Sequence, residues 1–165
     1  MLYIIIIMTR GLPMLDVKNL YVKYSSGKKV IRAVEDVSFT VRPGETLGFV
    51  GESGCGKSSV GRAVVKLEKV DYGKIHYNGV DLNKLSSSKL KQYRDKIQII
   101  FQDPYSSLNP KMTVGSILAE AGNAFEKKAD IMGYVKMLLK TVELPEDSIN
   151  RYPHEFSGGQ RQRIG

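Results

Sequence analysis

Three observations predict an α/β fold with an appended helical part. The first part of the chain carries short β-patterned runs, and the second half switches to a helical period. Between them, a glycine-rich loop sits where an apolar strand meets an amphipathic helix. From Met14 onward, Leu15, Val17, Leu20 and Val22 interleave with Asp16, Lys18 and Lys23, a half-buried strand. Ser25-Ser26-Gly27 is a turn, and Val30–Val41 carries a second strand closed by Arg42-Pro43-Gly44-Glu45. Thr46–Val50 is a short apolar run and reads as a buried strand. Gly51–Ser58 follows it directly, then a helix with Val60, Ala63, Val64 and Leu67 on one side.

Lys74–Tyr77 is a strand whose turn is Asn78-Gly79, the pair best suited to positive φ at both central positions. Ser86–Asp95 reads as a serine-capped helix. Ile97–Phe101 is a second apolar strand, left abruptly at Gln102-Asp103-Pro104. Beyond Pro110, Val114, Ile117 and Leu118, then Ile131, Met132, Val135, Leu138, Leu139 and Val142, recur at three- and four-residue steps. No internal repeat is present. Residues 1–13 stand apart, and read either as an extension ahead of a start at Met14 or as an edge strand.

Composition narrows the class. The chain has 165 residues, room for one compact domain, with 42% hydrophobic and 25% charged residues, which excludes a fibrous or wholly disordered chain. A single cysteine, Cys55, excludes a disulfide framework and any multi-cysteine metal site. The apolar run Leu2–Met8 is far shorter than the roughly 20 residues that span a bilayer. The net charge of +8 is scattered in ones and twos with no dense arm or stripe. It suits a solvated surface, and also nucleic acid, an anionic membrane face or phosphate-bearing ligands, so charge alone decides nothing.

Gly51-Glu52-Ser53-Gly54-Cys55-Gly56-Lys57-Ser58 fits G-x-x-x-x-G-K-[ST] at every position. Glycines let the backbone curl so that successive N–H groups face a phosphate, and the following helix adds its positive end. Lys57 is placed to reach terminal phosphates and Ser58 to ligate Mg²⁺. Cys55 reads as a small residue whose backbone matters, in preference to a redox group. Far downstream, Ser157-Gly158-Gly159-Gln160 is a second glycine-rich turn entering a helix, with Ser157 at the N-cap.

Taken together, these motifs resemble the nucleotide-binding subunits of ABC transporters, P-loop NTPases with an antiparallel β subdomain. Ser157–Gln160 matches the family signature, Gln102 its Q-loop glutamine, and Tyr24 its adenine-stacking aromatic. The resemblance implies ATP and Mg²⁺ as cofactors. It assigns nucleotide contacts to Tyr24, Gly51, Ser53, Gly54, Cys55, Gly56, Lys57, Ser58, Ser59, Ser157, Gly158, Gly159 and Gln160. Ser58 and Gln102 would meet the metal, Gln102 also sensing the γ-phosphate. Ser59 stands where threonine is usual, with the hydroxyl kept. Tyr24, otherwise one packing tyrosine among nine, would act on the base, so its loss is expected to spare tripolyphosphate. His154 lies in a surface loop of the family and reads as non-catalytic.

The stretches Phe101–Pro110 and Arg151–Phe156 look like the ATPase subunits of dipeptide and oligopeptide importers. Nickel, glutathione and some oligosaccharide importers share them. The resemblance covers 14–165 as a partial nucleotide-binding domain: 14–101 for the β subdomain and P-loop core, 102–165 for the Q-loop, helical subdomain and signature. It implies a second ATPase subunit, integral membrane permeases and an extracytoplasmic binding protein as partners, with no nucleic acid, at the cytoplasmic face of the membrane. A soluble ABC ATPase acting on nucleic acid or ribosomes, and a non-hydrolysing remnant, are the competing readings. The last residue, Gly165, falls inside the signature helix, and the family's Walker B acids come later. ATP turnover by these 165 residues alone is therefore not expected.

Overall fold

The computed structural model describes residues 15–27, 29–101, 103, 107–125 and 130–165. The expectations placed on residues 1–14 and on Gln102 lie outside these. The chain divides into two compact units between Ile100 and Phe101.

The first unit is built on a four-stranded antiparallel sheet of order β2-β1-β3-β4, with β1 at Leu15–Ser26, β2 at Lys29–Val41, β3 at Tyr72–Tyr77 and β4 at Val80–Asp81. Side chains alternate faces along a strand, so buried residues should keep one parity. In β1 they do not: Leu15 and Val17 are buried, and so are Leu20 and Val22. The change of parity falls at Lys18-Asn19, where the register with both neighbours shifts and Asn19 adopts φ 47. β2 changes parity at the matching place, Asp36, with φ 53. An extra residue in each strand turns the following side chains back onto the core face.

Helix α1, Lys57–Val64, packs Val60, Ala63 and Val64 into this core. It ends sooner than the sequence pattern suggests. Lys66 turns left-handed at φ 60, and the N–H groups of Lys66 and Leu67 bond to the carbonyls of Ala63 and Arg62. Leu67 therefore leaves the apolar side and is 59% exposed. Of the predicted turns, Ser25-Ser26-Gly27 is shifted: Ser25 and Ser26 stay in β1, paired with Val30 and Lys29, because the ladder with β2 gives their backbone a partner. The other two form as expected. Pro43-Gly44 closes with Glu45 N–H on the Arg42 carbonyl at 3.0 Å, and Asn78 and Gly79 both have positive φ. Ser86 caps the short helix α2, Ser87–Leu90, its hydroxyl accepting from Lys89 N–H. The rest of the predicted Ser86–Asp95 helix is a 3-10 turn over Lys91–Tyr93.

Two expected strands are not found. Residues 46–50 and 97–101 carry no strand pairing among the described residues. Leu47 and Phe49 pack on the core, Phe49 edge-on to Phe39 with ring centroids 4.9 Å apart, while Val50 is 87% exposed. Ile97 is buried, but Ile100 and Phe101 are largely open. An apolar run records a preference for burial, whereas a strand also needs a backbone partner.

The second unit is helical. α3 at Val114–Phe125 and α4 at Ile131–Thr141 pack around Leu108, Val114, Val135, Leu139, Leu144, Phe156 and Ile164. Asp130 caps α4, accepting from Gly133 N–H at 2.8 Å. The last helix, α5, is Gly158–Ile164. No described helix is long and apolar enough to cross a membrane.

Candidate functional site

The phosphate loop leaves the exposed end of 46–50 and curls into α1. Gly51 to Cys55 are exposed, and Gly56 to Ser59 are half-buried at the start of the helix. Two glycines need their freedom here: Gly54 has φ 84, and Gly56, the residue preceding α1, has φ 95. Gly56 has a second reason. A Cβ at that position would collide with the backbone carbonyl oxygen of Ala33 on β2. The loop is thus docked onto the sheet through a glycine.

Inside the curl lies the Lys57 ammonium. It donates to the carbonyl oxygens of Gly51 at 2.7 Å and Glu52 at 2.6 Å, with Cys55 Sγ at 3.3 Å. Cys55 N–H closes the loop onto the Glu52 carbonyl. A positive charge centred on a ring of backbone is a ready anion site. The three ammonium protons, now facing two carbonyls and the Cys55 sulfur, can turn to phosphate oxygens instead. Ser58 and Ser59 place their hydroxyls in the first helical turn, where the backbone N–H groups have no intrahelical partner.

Tyr24, near the end of β1, reaches this helix: its hydroxyl donates to Ser59 Oγ at 3.1 Å. Its cross-strand partner Ile31 is 59% exposed. The ring therefore stands beside the phosphate loop, with an open apolar neighbour. The family resemblance assigned Tyr24 to the adenine base and missed the bond to Ser59, and no local pattern encodes a contact across 35 residues.

In the helical unit, Ser157 and Gln160 form a reciprocal cap at the start of α5. Ser157 N–H donates to Gln160 Oε1 at 2.9 Å, and Gln160 N–H to Ser157 Oγ at 3.3 Å. Ser157, Gly158 and Gly159 are exposed, and nothing lies within 4 Å of a Cβ built on Gly159. Phe156 anchors the turn, buried beneath the Arg151 guanidinium at 4.4 Å from its ring centre. His154 is exposed and stacks on Tyr152. Gln102 lies outside the described residues.

A family model described as ABC transporter matches residues 34–165, the span that holds both glycine-rich turns. The chain belongs to the ABC transporter family. Among curated relatives, it is 47% identical over 156 residues to the oligopeptide transport ATP-binding protein OppF of Bacillus subtilis (strain 168), covering 92% of this chain and 51% of that protein. Against OppF of Haemophilus influenzae the figures are 45% over 152 residues, 90% and 46%. This ABC-family chain spans about half the length of the curated relatives it matches.

Solved structures agree on the fold. The ATP-binding cassette MJ0796, in a dimeric post-hydrolysis state bound to ADP and Pi, superposes with a TM-score of 0.77 at 29% identity. That match covers 91% of this chain and 66% of the other. The ATP-binding subunit of another ABC transporter gives 0.70 at 27%, covering 92% and 59%. The α/β expectation with its antiparallel sheet therefore holds for this ABC-family chain.

Proposed function

We propose that this chain is the nucleotide-binding part of an ABC importer subunit that couples ATP binding and hydrolysis to peptide uptake. The observation that carries the reading is the phosphate loop closed around the Lys57 ammonium at the start of α1. In this reading ATP replaces the Gly51 and Glu52 carbonyls as the acceptor of Lys57. Backbone N–H groups of Gly51, Ser53, Gly54, Cys55 and Gly56 surround the phosphates, and Ser59 adds a hydroxyl. Tyr24 stacks on the adenine ring.

Mg²⁺ takes hard oxygen donors, keeps several waters and leans on substrate phosphates, so a hydroxyl beside the phosphates and one further oxygen suffice on the protein side. Ser58, in the first turn of α1, supplies the hydroxyl, with Gln102 as the second protein ligand and γ-phosphate sensor. The bound ion would offset phosphate charge as the terminal phosphoryl group passes to water. The turn Ser157–Gln160, exposed at its first three residues, is the surface that meets ATP held by a second ATPase subunit. The remaining partners are a membrane permease, engaged through the helical unit at the cytoplasmic face, and an extracytoplasmic peptide-binding protein. The names of the relatives, both oligopeptide transport proteins, support peptides as the cargo.

The test is titration calorimetry with ATP and with tripolyphosphate, on the chain and on Lys57→Ala. Charge-assisted hydrogen bonds contribute about 1.5–3 kcal/mol each, so the substitution should weaken both ligands at least tenfold. Unchanged affinity in Lys57→Ala overturns the nucleotide site. The cargo is tested separately, by uptake of a labelled oligopeptide into cells with and without the intact gene; equal uptake overturns it.

A further inference from the structure

The bond from Tyr24 to Ser59 joins two groups that the nucleotide reading treats as independent, one for the base and one for the phosphates. Tyr24 is the donor, so it occupies a lone pair on Ser59 Oγ and leaves the serine proton to be donated elsewhere. An unheld serine in the first helical turn rotates freely and competes for nearby backbone groups. Here it is fixed from the sheet side. The fixing is firm because the same ribbon grips the loop at a second point, where the Ala33 carbonyl abuts Gly56. Ala33 and Ile31 are on one strand, and Ile31 pairs with Tyr24.

We propose that Tyr24 is a positioning residue for phosphate as well as a platform for the base: its hydroxyl orients Ser59 Oγ–H toward the bound phosphates. The proposal rests on the nucleotide reading above and adds a coupling between its two halves. It also revises the expectation that loss of Tyr24 spares a ligand without a base. A phenylalanine would keep the ring and remove only the orienting bond.

The experiment is titration of tripolyphosphate and ATP into the chain, Tyr24→Phe, Ser59→Ala and the double variant, with thermal melting of each. A neutral hydrogen bond in this setting corresponds to a loss of about threefold to tenfold. Tyr24→Phe is expected to weaken both ligands by that factor. In the Ser59→Ala background, Tyr24→Phe should have no further effect, the signature of two groups acting as one. Ser59→Thr, which keeps the hydroxyl, should bind like the native chain. A purely structural role would lower the melting temperature and leave the two affinity losses multiplicative. Unchanged tripolyphosphate affinity in Tyr24→Phe, or multiplicative losses, overturns the coupling while leaving the nucleotide site standing. If the native chain binds neither ligand, or Lys57→Ala changes nothing, the nucleotide reading and the coupling fall together.

Discussion

Asn19 and Asp36 face each other across β1 and β2, both left-handed, with Asn19 Nδ2 donating to Asp36 Oδ1 at 2.8 Å. Asn19 N–H also bonds to Ser38 Oγ at 2.8 Å. This pair is the hinge at which both strands change parity. Asparagine and aspartate are among the few residues other than glycine that visit this conformation at small cost. Asn19→Val should therefore destabilise the chain by about 1–2 kcal/mol, since a β-branched residue resists positive φ. Asn19→Gly should cost less. Chemical denaturation of the two variants measures the difference; equal losses would assign the effect to the lost side-chain bond alone.

Gly54 and Gly56 separate conformational strain from packing. Both have positive φ, but only Gly56 abuts another backbone, the Ala33 carbonyl; the space around Gly54 is open to 4 Å. Gly54→Ala is expected to cost about 1–2 kcal/mol from strain. Gly56→Ala should cost more, and should abolish tripolyphosphate binding by prising the loop from β2. Melting and titration of the two variants test this; a milder effect at Gly56 would contradict the docking.

Thr40, Asp16, His76 and Asp81 are successive cross-strand partners over all four strands. Burial pushes the Asp16 carboxyl up, but hydrogen bonds from Lys18 and Thr40 and the charges of Lys18 and His76 outweigh it. Its pKa therefore lies below the ordinary 3.8. A depressed carboxylate adds stability above its unfolded value and loses it as pH falls through the folded one. Asp16→Asn should be less stable than the native chain at neutral pH, with the gap closing below about pH 4. Melting from pH 7 to pH 3 measures this, and a constant gap would remove the electrostatic explanation.

Ser148 is fully buried, and its hydroxyl has no hydrogen-bond partner among the described residues. An unsatisfied buried polar group costs about 1–3 kcal/mol. Ser148→Ala should leave stability unchanged or raise it by about 1 kcal/mol in denaturation. A clear loss would mean that a bound water satisfies the hydroxyl.

What the sequence determined by itself is local. The phosphate loop, the Pro43-Gly44 and Asn78-Gly79 turns, and the caps at Ser86 and Ser157 each depend on a few adjacent residues, whose backbone preferences fix the geometry directly. The parity change between Val17 and Leu20 is also written in the apolar pattern, though a reading of simple alternation passes over it. Tertiary structure decided the rest. It left 46–50 and 97–101 without strand partners among the described residues, because hydrophobicity specifies burial and not which backbone will pair. It also brought the Ala33 carbonyl against Gly56 and the Tyr24 hydroxyl onto Ser59. Such contacts form only after β1, β2 and α1 have packed on one core, so no short stretch of sequence contains them.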